Sequence, residues 1–292
     1  MQLMKPKHQF TYFVLIIFKK LISNLSDRTR YKLSTYIGKI LFHIFKVRRG
    51  VAENNIKRAF PLWNNEKINR TLEKTYIFFS NNLINFIGFP FTWKNSTFNV
   101  SGSNFLDNSF KKGNGIIMIT GHFGAWEILG KWLGDYANLF TGVAFKQKNL
   151  GAHKFFIEQR ELSKTQHIFK KESFKKMYRV LELNGILGLV SDQDAGKKGT
   201  FVNFFGSKAS TPKGAALFFL NTKSPMIFAS CIQLSFQNYK IEFIPIEIKK
   251  EYLNDKDVEN ITQTYTTFLE NYIKKYPEQY FWFHKRWKTK ES

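Results

Sequence analysis

Thr120-Gly-His-Phe-Gly-Ala-Trp-Glu127 sets an imidazole between two glycines, with a carboxylate five residues beyond it. Histidine is the side chain whose ordinary pKa lets it take up and return a proton near neutrality. His122 is therefore a candidate general base for removing a proton from a hydroxyl that attacks a thioester. On one continuous helix, five residues would set His122 and Glu127 about 140° apart at 3.6 residues per turn. They can meet only if His122 lies in a loop and Glu127 in the first turn of the helix that follows. Gly121 and Gly124 permit so tight a turn. Glu127 can then accept from one ring nitrogen and leave the other free as the base. The helix N-terminus would offer N–H groups to a developing oxyanion or a phosphate. The alternative is a helix start that carries a structural histidine.

A second cluster is Ser191-Asp-Gln-Asp-Ala-Gly-Lys-Lys-Gly-Thr-Phe-Val-Asn-Phe-Phe-Gly206. Asp192 and Asp194 are expected on the same sheet edge as His122, with Asp192 able to orient a base or a cation. Lys197, Lys198 and Lys208 can meet phosphates. Phe201, Phe204 and Phe205 can line an acyl groove. Asp-x-Asp followed by glycine resembles the opening of a calcium loop, but the closing acid is absent from its expected position. A plain solvated loop is the other alternative. Arg160, in Phe-Phe-Ile-Glu-Gln-Arg-Glu161, can hold a phosphate through its planar fork or stand as an exposed helix charge.

Both clusters follow short apolar runs. Gly115 to Thr120 and Leu187 to Ser191 read as buried parallel strands. Further strands are expected over Leu139–Phe145, Met226–Cys231 and Lys240–Ile248, the last with the alternation of a half-exposed strand. Helices are expected over 28–47, 51–60 up to Pro61, 66–88, 126–136, 150–163, 172–183, 212–221 and 258–276. Strands alternating with helices predict an α/β fold, a sheet covered on both faces, whose strand ends are where ligands bind. The helical N-terminal part, residues 25–95, precedes an α/β catalytic core at 96–292. Together they form one domain behind an N-terminal appendage at 1–24.

That appendage holds Phe10 to Phe18, nine residues without a charge, with Lys5, Lys7, Lys19 and Lys20 around them. A spanning helix needs about 20 apolar residues, and no small-residue cleavage site follows. The run reads as a helix lying in or shallowly inserted into a membrane surface, its lysines on lipid phosphates; the alternative is an ordinary buried helix. The chain carries 45 Lys and Arg against 22 Asp and Glu, a formal net charge of +23. Such a surplus attracts nucleic acid, anionic lipid or an acidic protein. No helix-turn-helix, zinc finger or aromatic RNA-binding signature is present, so nucleic acid is not expected as a partner. The one cysteine, Cys231, cannot form an internal disulfide and reads as a buried inert thiol. The six histidines are scattered, and neither a metal nor a cofactor is expected.

These stretches resemble the late acyltransferases of lipid A biosynthesis, the lauroyl and myristoyl acyltransferases within the wider lysophospholipid acyltransferase group. The resemblance runs from about Arg48 to Lys288. It rests on Asn54-Asn-Ile, Ala59-Phe-Pro61, Gly121 to Glu127, Arg160, Asp192-Gln-Asp194, Phe201-Val-Asn-Phe-Phe-Gly206 and Pro277-Glu-Gln-Tyr-Phe-Trp-Phe-His-Lys-Arg286. It implies a glycerolipid acyltransferase-like fold, with a central mixed, mostly parallel sheet flanked by helices. It implies direct transfer from an acyl carrier protein or coenzyme A thioester to a lipid A precursor, without an acyl-enzyme. His122 would be the base, Glu127 its partner, and Arg160 and Asp192 active-site residues, at an inner membrane with the site facing the cytoplasm. Lys146-Gln-Lys148 stands where family members often carry a Tyr-Arg-Pro-like segment, so the acceptor is open to another lipid: a lysophospholipid, an aminolipid or a glycolipid. A non-catalytic basic protein that binds membranes or nucleic acid is the reading of another class.

Overall fold

A computed structural model describes residues 4–169, 174–249 and 257–291. Its centre is a seven-stranded sheet, from β1 (Thr97–Ser101), β2 (Ile116–Thr120), β3 (Phe140–Ala144), β4 (Gln166–Phe169) and β5 (Ile186–Val190) to β8 (Met226–Ser235) and β9 (Asn238–Pro245). The strand order is β1-β9-β8-β2-β5-β3-β4. Neighbours from β8 to β4 are parallel, β8 and β9 are antiparallel, and β1 runs parallel to β9. A separate hairpin pairs β6 (Thr200–Phe204) with β7 (Ser207–Thr211). The expected α/β fold with a mostly parallel sheet is therefore present.

β2 is apolar from Ile116 to Ile119 because both of its faces are covered there. Ile117 and Ile119 enter one core with Leu187, Leu189 and Phe228. Ile116 and Met118, pointing the other way as alternate strand residues must, enter a second core with Ile186, Ile227 and Cys231. The second core is roofed by α6 (Trp126–Tyr136), whose Ile128, Leu129 and Leu133 are buried. The first lies under α10 (Val258–Lys275), α9 (Gly214–Thr222) and, from the helical N-terminal part, α3 (Arg49–Ala59) and α4 (Asn65–Ile87), with α2 (Asp27–Ile40) packed on α4. Helices α5 (Ser103–Phe110) and α8 (Phe174–Glu182) complete the flanks. The expected helix 172–183 begins in residues outside the described ones.

The N-terminal run is α1 (Pro6–Ser23), and it docks against α7 (Leu150–Glu161). A Cβ at Gly151 would stand 1.8 Å from the His8 carbonyl oxygen, so only glycine lets α1 approach so closely. Tyr12 donates to Glu158 at 2.7 Å and Lys19 to Gln159 at 2.6 Å. Phe10, Phe13 and Leu21 stay largely exposed on the side away from the core. Among the described residues no helix is long and apolar enough to cross a membrane.

Candidate active site

Sheet register brings the two motifs together. Thr120 pairs with Val190 at the C-terminal ends of adjacent parallel strands, and Ser191 N donates to Thr120 O at 3.0 Å. His122 and Asp192 each lie two residues beyond that pair. The His122 Nδ1–H donates to Asp192 Oδ1 at 2.8 Å. Asp192 is buried to 2% of its side-chain surface, while His122 keeps 27%. The remaining ring nitrogen, Nε2, lies 3.4 Å from the Gln193 amide nitrogen.

The carboxylate on the imidazole is thus Asp192, not Glu127 as the spacing within one motif suggested. Glu127 does sit in the first turn of α6, as expected. There it takes both arms of Arg160 from α7: Nε donates to Oε2 at 3.0 Å and Nη2 to Oε1 at 2.6 Å. Trp126 Nε1 adds a bond to Oε1 at 3.3 Å. The bidentate fork saturates the carboxylate, which explains why it does not turn to His122. Arg160 is correspondingly engaged by Glu127 rather than free to grip a phosphate with Nε and Nη2.

Charge settles accordingly. Burial alone would lower the His122 pKa, but the Asp192 carboxylate outweighs it and holds the imidazole above its ordinary value. Burial would raise Asp192, and His122 more than reverses this. Glu127 is likewise held below the usual carboxylate range, its burial outweighed by Arg160. His167, across the cavity, is pushed down to about 4 by burial and by Arg160.

The His122 loop is held by the C-terminal segment. Phe123 bridges Tyr280, Phe281 N donates to His122 O at 2.9 Å, Gly124 N to Gln279 O at 2.8 Å and Ala125 N to Cys231 O at 2.8 Å. Gly124 has φ +62°, and a Cβ there would lie 2.1 Å from the Cys231 carbonyl oxygen, so no other residue fits. Burial and the nearby Asp192 carboxylate push the Tyr280 hydroxyl pKa well up. Asn55 donates to the carbonyls of Trp282 at 2.7 Å and His284 at 2.6 Å, and Gln279 exchanges two bonds with the Gln233 backbone. Buried Arg286 donates to Ser210 O at 2.6 Å. Asn55, Gln193, Gln279, Tyr280 and Arg286 were not singled out from the sequence. All lie inside the stretches that carry the family resemblance, which was the one available signal.

The other expected substrate contacts separate from this centre. Asp194 closes onto the C-terminus: Oδ1 accepts from Thr289 N at 3.0 Å, and Oδ2 from Thr289 Oγ1 at 2.9 Å. Lys197 is exposed on a short turn, Gly196–Lys198, outside the lining of the two cavities at the site. Phe204 is not an acyl-groove wall. It is fully buried in the core on the α10 side, against Trp287 and Tyr280, because alternate residues of the hairpin face inward. Phe205 packs on Phe60 and Trp282, also away from His122. Cys231 is buried, and burial raises its thiol pKa.

Two cavities meet at Trp126, Glu127, Gln147 and Arg160. The larger, about 540 Å³, contains His122 and Gln193 and has Lys146, Lys148 and Arg160 in its wall. The smaller, about 310 Å³, is lined mostly by apolar side chains such as Phe79, Leu83, Phe86 and Phe281, and lacks His122. An imidazole held by a buried carboxylate, with its second nitrogen facing a cavity, is the arrangement of a general base.

Residues 2–289 match the family described as bacterial lipid A biosynthesis acyltransferase. The chain belongs to that family. It is 22% identical over 266 residues to the lipid A biosynthesis palmitoleoyltransferase of Escherichia coli strain K12, covering 88% of this chain and 84% of that one. It is 26% identical over 136 residues to the phosphatidylinositol mannoside acyltransferase of Mycobacterium tuberculosis, covering 45% of this chain. That match spans 43% of the mycobacterial protein's length.

Proposed function

We propose that the protein moves a fatty acyl chain from a thioester, on acyl carrier protein or coenzyme A, to a hydroxyl of a lipid A precursor. The observation that carries this reading is the His122–Asp192 pair at the mouth of the larger cavity. Asp192 fixes the tautomer, so Nε2 carries the lone pair. The acceptor hydroxyl gives its proton to Nε2 as its oxygen bonds to the thioester carbonyl carbon. The tetrahedral intermediate then expels the thiolate, which leaves with the proton from the imidazolium. Glu127 and Arg160 position the wall shared by both cavities. This replaces the His122–Glu127 dyad with two pairs of separate duty.

The site works at a membrane surface in this reading, on the cytoplasmic face of the inner membrane where the carrier thioester is available. Supporting it are the exposed Phe10, Phe13, Val14 and Leu21 of α1 and the net charge of +23, which favours anionic lipid and an acidic carrier protein. A second reading keeps the chemistry and changes the acceptor to a glycosylated phospholipid. The mycobacterial relative, named as a phosphatidylinositol mannoside acyltransferase, is its support.

The test is incubation of the purified protein in detergent with acyl carrier protein thioesters and an under-acylated lipid A precursor. Mass spectrometry is expected to find one added acyl chain with wild type and none with His122→Ala. Acylation of a phosphatidylinositol glycoside instead would select the second reading. No acylation of any lipid hydroxyl would reject the function.

A further inference from the structure

One row of the sheet, on the face toward α6, is unusual. Met118 of β2 pairs with Gly188 of β5, Gly188 with Gly142 of β3, and Gly142 with His167 of β4. These four residues lie side by side across four strands, on one face. The two in the middle have no side chain. Glycine inside a strand weakens it and commonly marks close approach of another group. Above the row, α6 contributes a third glycine, Gly130. All three glycines, with Met118 and His167, line the larger cavity.

The result is a trough between sheet and helix that opens at His122. The glycine row lies two residues inward from Thr120 and Val190, about 7 Å along the strands. Its walls are hydrocarbon: Leu129, Leu133, Phe140 and Val190 face it. Of the three hydroxyls in its lining, Thr120 stands at the strand end beside His122, and the other two are turned to backbone, Ser163 to Arg160 O at 2.6 Å and Thr165 to Gly130 O at 3.2 Å. Its basic residues are Lys146 and Lys148, at the loop that follows β3, and Arg160, whose charge is paired with Glu127. A ligand with a charged end and a long apolar tail suits both parts.

The two strand glycines are not equivalent. A Cβ at Gly188 would lie 2.9 Å from the Phe140 ring. A Cβ at Gly142 would meet no atom within 4 Å. Its neighbourhood is open trough, so a side chain there would occupy ligand space and displace nothing in the fold.

We infer that this trough holds the acyl chain of the donor thioester and that Gly142 is the residue that sets how long a chain it accepts, with His167 closing the sheet-edge end. The inference rests on the acyl-transfer reading for the identity of the ligand. It favours the larger cavity over the smaller because the thioester carbonyl has to lie at His122, which only the larger one contains.

The test compares the full chain with Gly142→Leu and Gly142→Val, the second a β-branched residue that suits a strand. Binding of coenzyme A alkyl thioethers, from octyl to stearyl, is measured by calorimetry, and turnover of the matching thioesters by mass spectrometry. Each methylene turned out of an apolar slot costs about fourfold in affinity. An isobutyl group that displaces two methylenes should therefore weaken the longest probes about fifteenfold and the shortest least, moving the preferred length down. Gly142→Val should move it less, and His167→Ala should move it up. A folded Gly142→Leu protein with the wild-type length profile would overturn the inference and hand the chain to the smaller cavity. Failure of both Gly142 variants to fold would also overturn it, since open space at Gly142 is its basis. If wild type turns over no thioester yet the binding profile shortens in Gly142→Leu, the trough assignment stands and the reaction is what fails.

Discussion

Asp192 and Glu127 are two carboxylates of one site, each held below its ordinary pKa by a cationic or protonatable partner. They are carried by different scaffolds. Asp192 and His122 hang from the ends of adjacent parallel strands, and backbone register, with the C-terminal segment holding the His122 loop, sets their meeting. Glu127 and Arg160 belong to two helices, α6 and α7, and meet through side chains. The strand-end pair leaves one ring nitrogen facing a cavity, with the Gln193 amide 3.4 Å from it. The helix pair is bidentate and closed on itself. An ion pair at a site is thus not equivalent to a reacting group: what separates the two is a nitrogen that faces the cavity and is held only by the long 3.4 Å contact of the Gln193 amide.

The comparison breaks most sharply at His122. His122→Ala should lower turnover by about 10³–10⁴-fold, with circular dichroism and melting temperature near those of wild type. A variant with more than a tenth of wild-type activity would remove the general-base role. Next comes Asp192→Asn. An amide cannot fix the neutral tautomer or stabilise the imidazolium, so turnover should fall about 10²–10³-fold. Asp192 is also what raises the His122 pKa. Its loss should lower that pKa, so the acid limb of the kcat/KM profile should move to lower pH. A limb that stays in place would mean that another group titrates there.

Glu127 should answer differently. Glu127→Ala strands Arg160, and Arg160→Ala strands Glu127. Each should cost about 2 kcal/mol of stability, at the low end for a truncated charge pair because each side chain keeps a fifth to a quarter of its surface. The double variant should be less destabilised than the sum of the singles, as a double-mutant cycle by urea denaturation would read. If Glu127→Ala melts like wild type but is inactive, Glu127 acts on the reaction and the division of duty drawn above is wrong.

The same contrast explains what was legible in the sequence. Both strand-end motifs, the mostly parallel sheet and helix α6 followed from apolar runs and glycines, because burial on both faces leaves a plain signature. Within-motif spacing joined His122 to Glu127. Finding Asp192 on His122 instead needed the pairing of β2 with β5, a contact across 70 residues that periodicity does not encode. Phe204 reads as groove lining in the sequence because no strand is expected over β6–β7; the hairpin's alternation turns it into the core. Asp194 looked like a ligand for the same reason, but its loop folds back to Thr289. Strands β1 and β4 and helix α5 went unread, being short and partly exposed.

The gentlest test is stability against pH, where the two pairs should leave different traces. His122 is raised from 6.5 and Asp192 lowered from 3.8. A raised base stabilises fully below its unfolded value and loses that contribution as pH rises through its folded value. A lowered acid stabilises above its unfolded value and loses it as pH falls through its folded one. The His122–Asp192 pair should therefore contribute most between pH 3.8 and 6.5, with losses on both sides. Glu127 is lowered from 4.5 and Arg160 is raised by Glu127, so that pair loses its contribution in acid and keeps it through neutral and alkaline pH. Subtracting the unfolding free energy of Asp192→Asn from wild type across pH should yield a dome of about 1–2 kcal/mol; Glu127→Gln should yield a plateau that extends to high pH. A plateau from Asp192→Asn would mean that His122 is not charged in the folded protein on the acid side of its titration. The raised imidazole, and the pH profile argued from it, would then both be withdrawn.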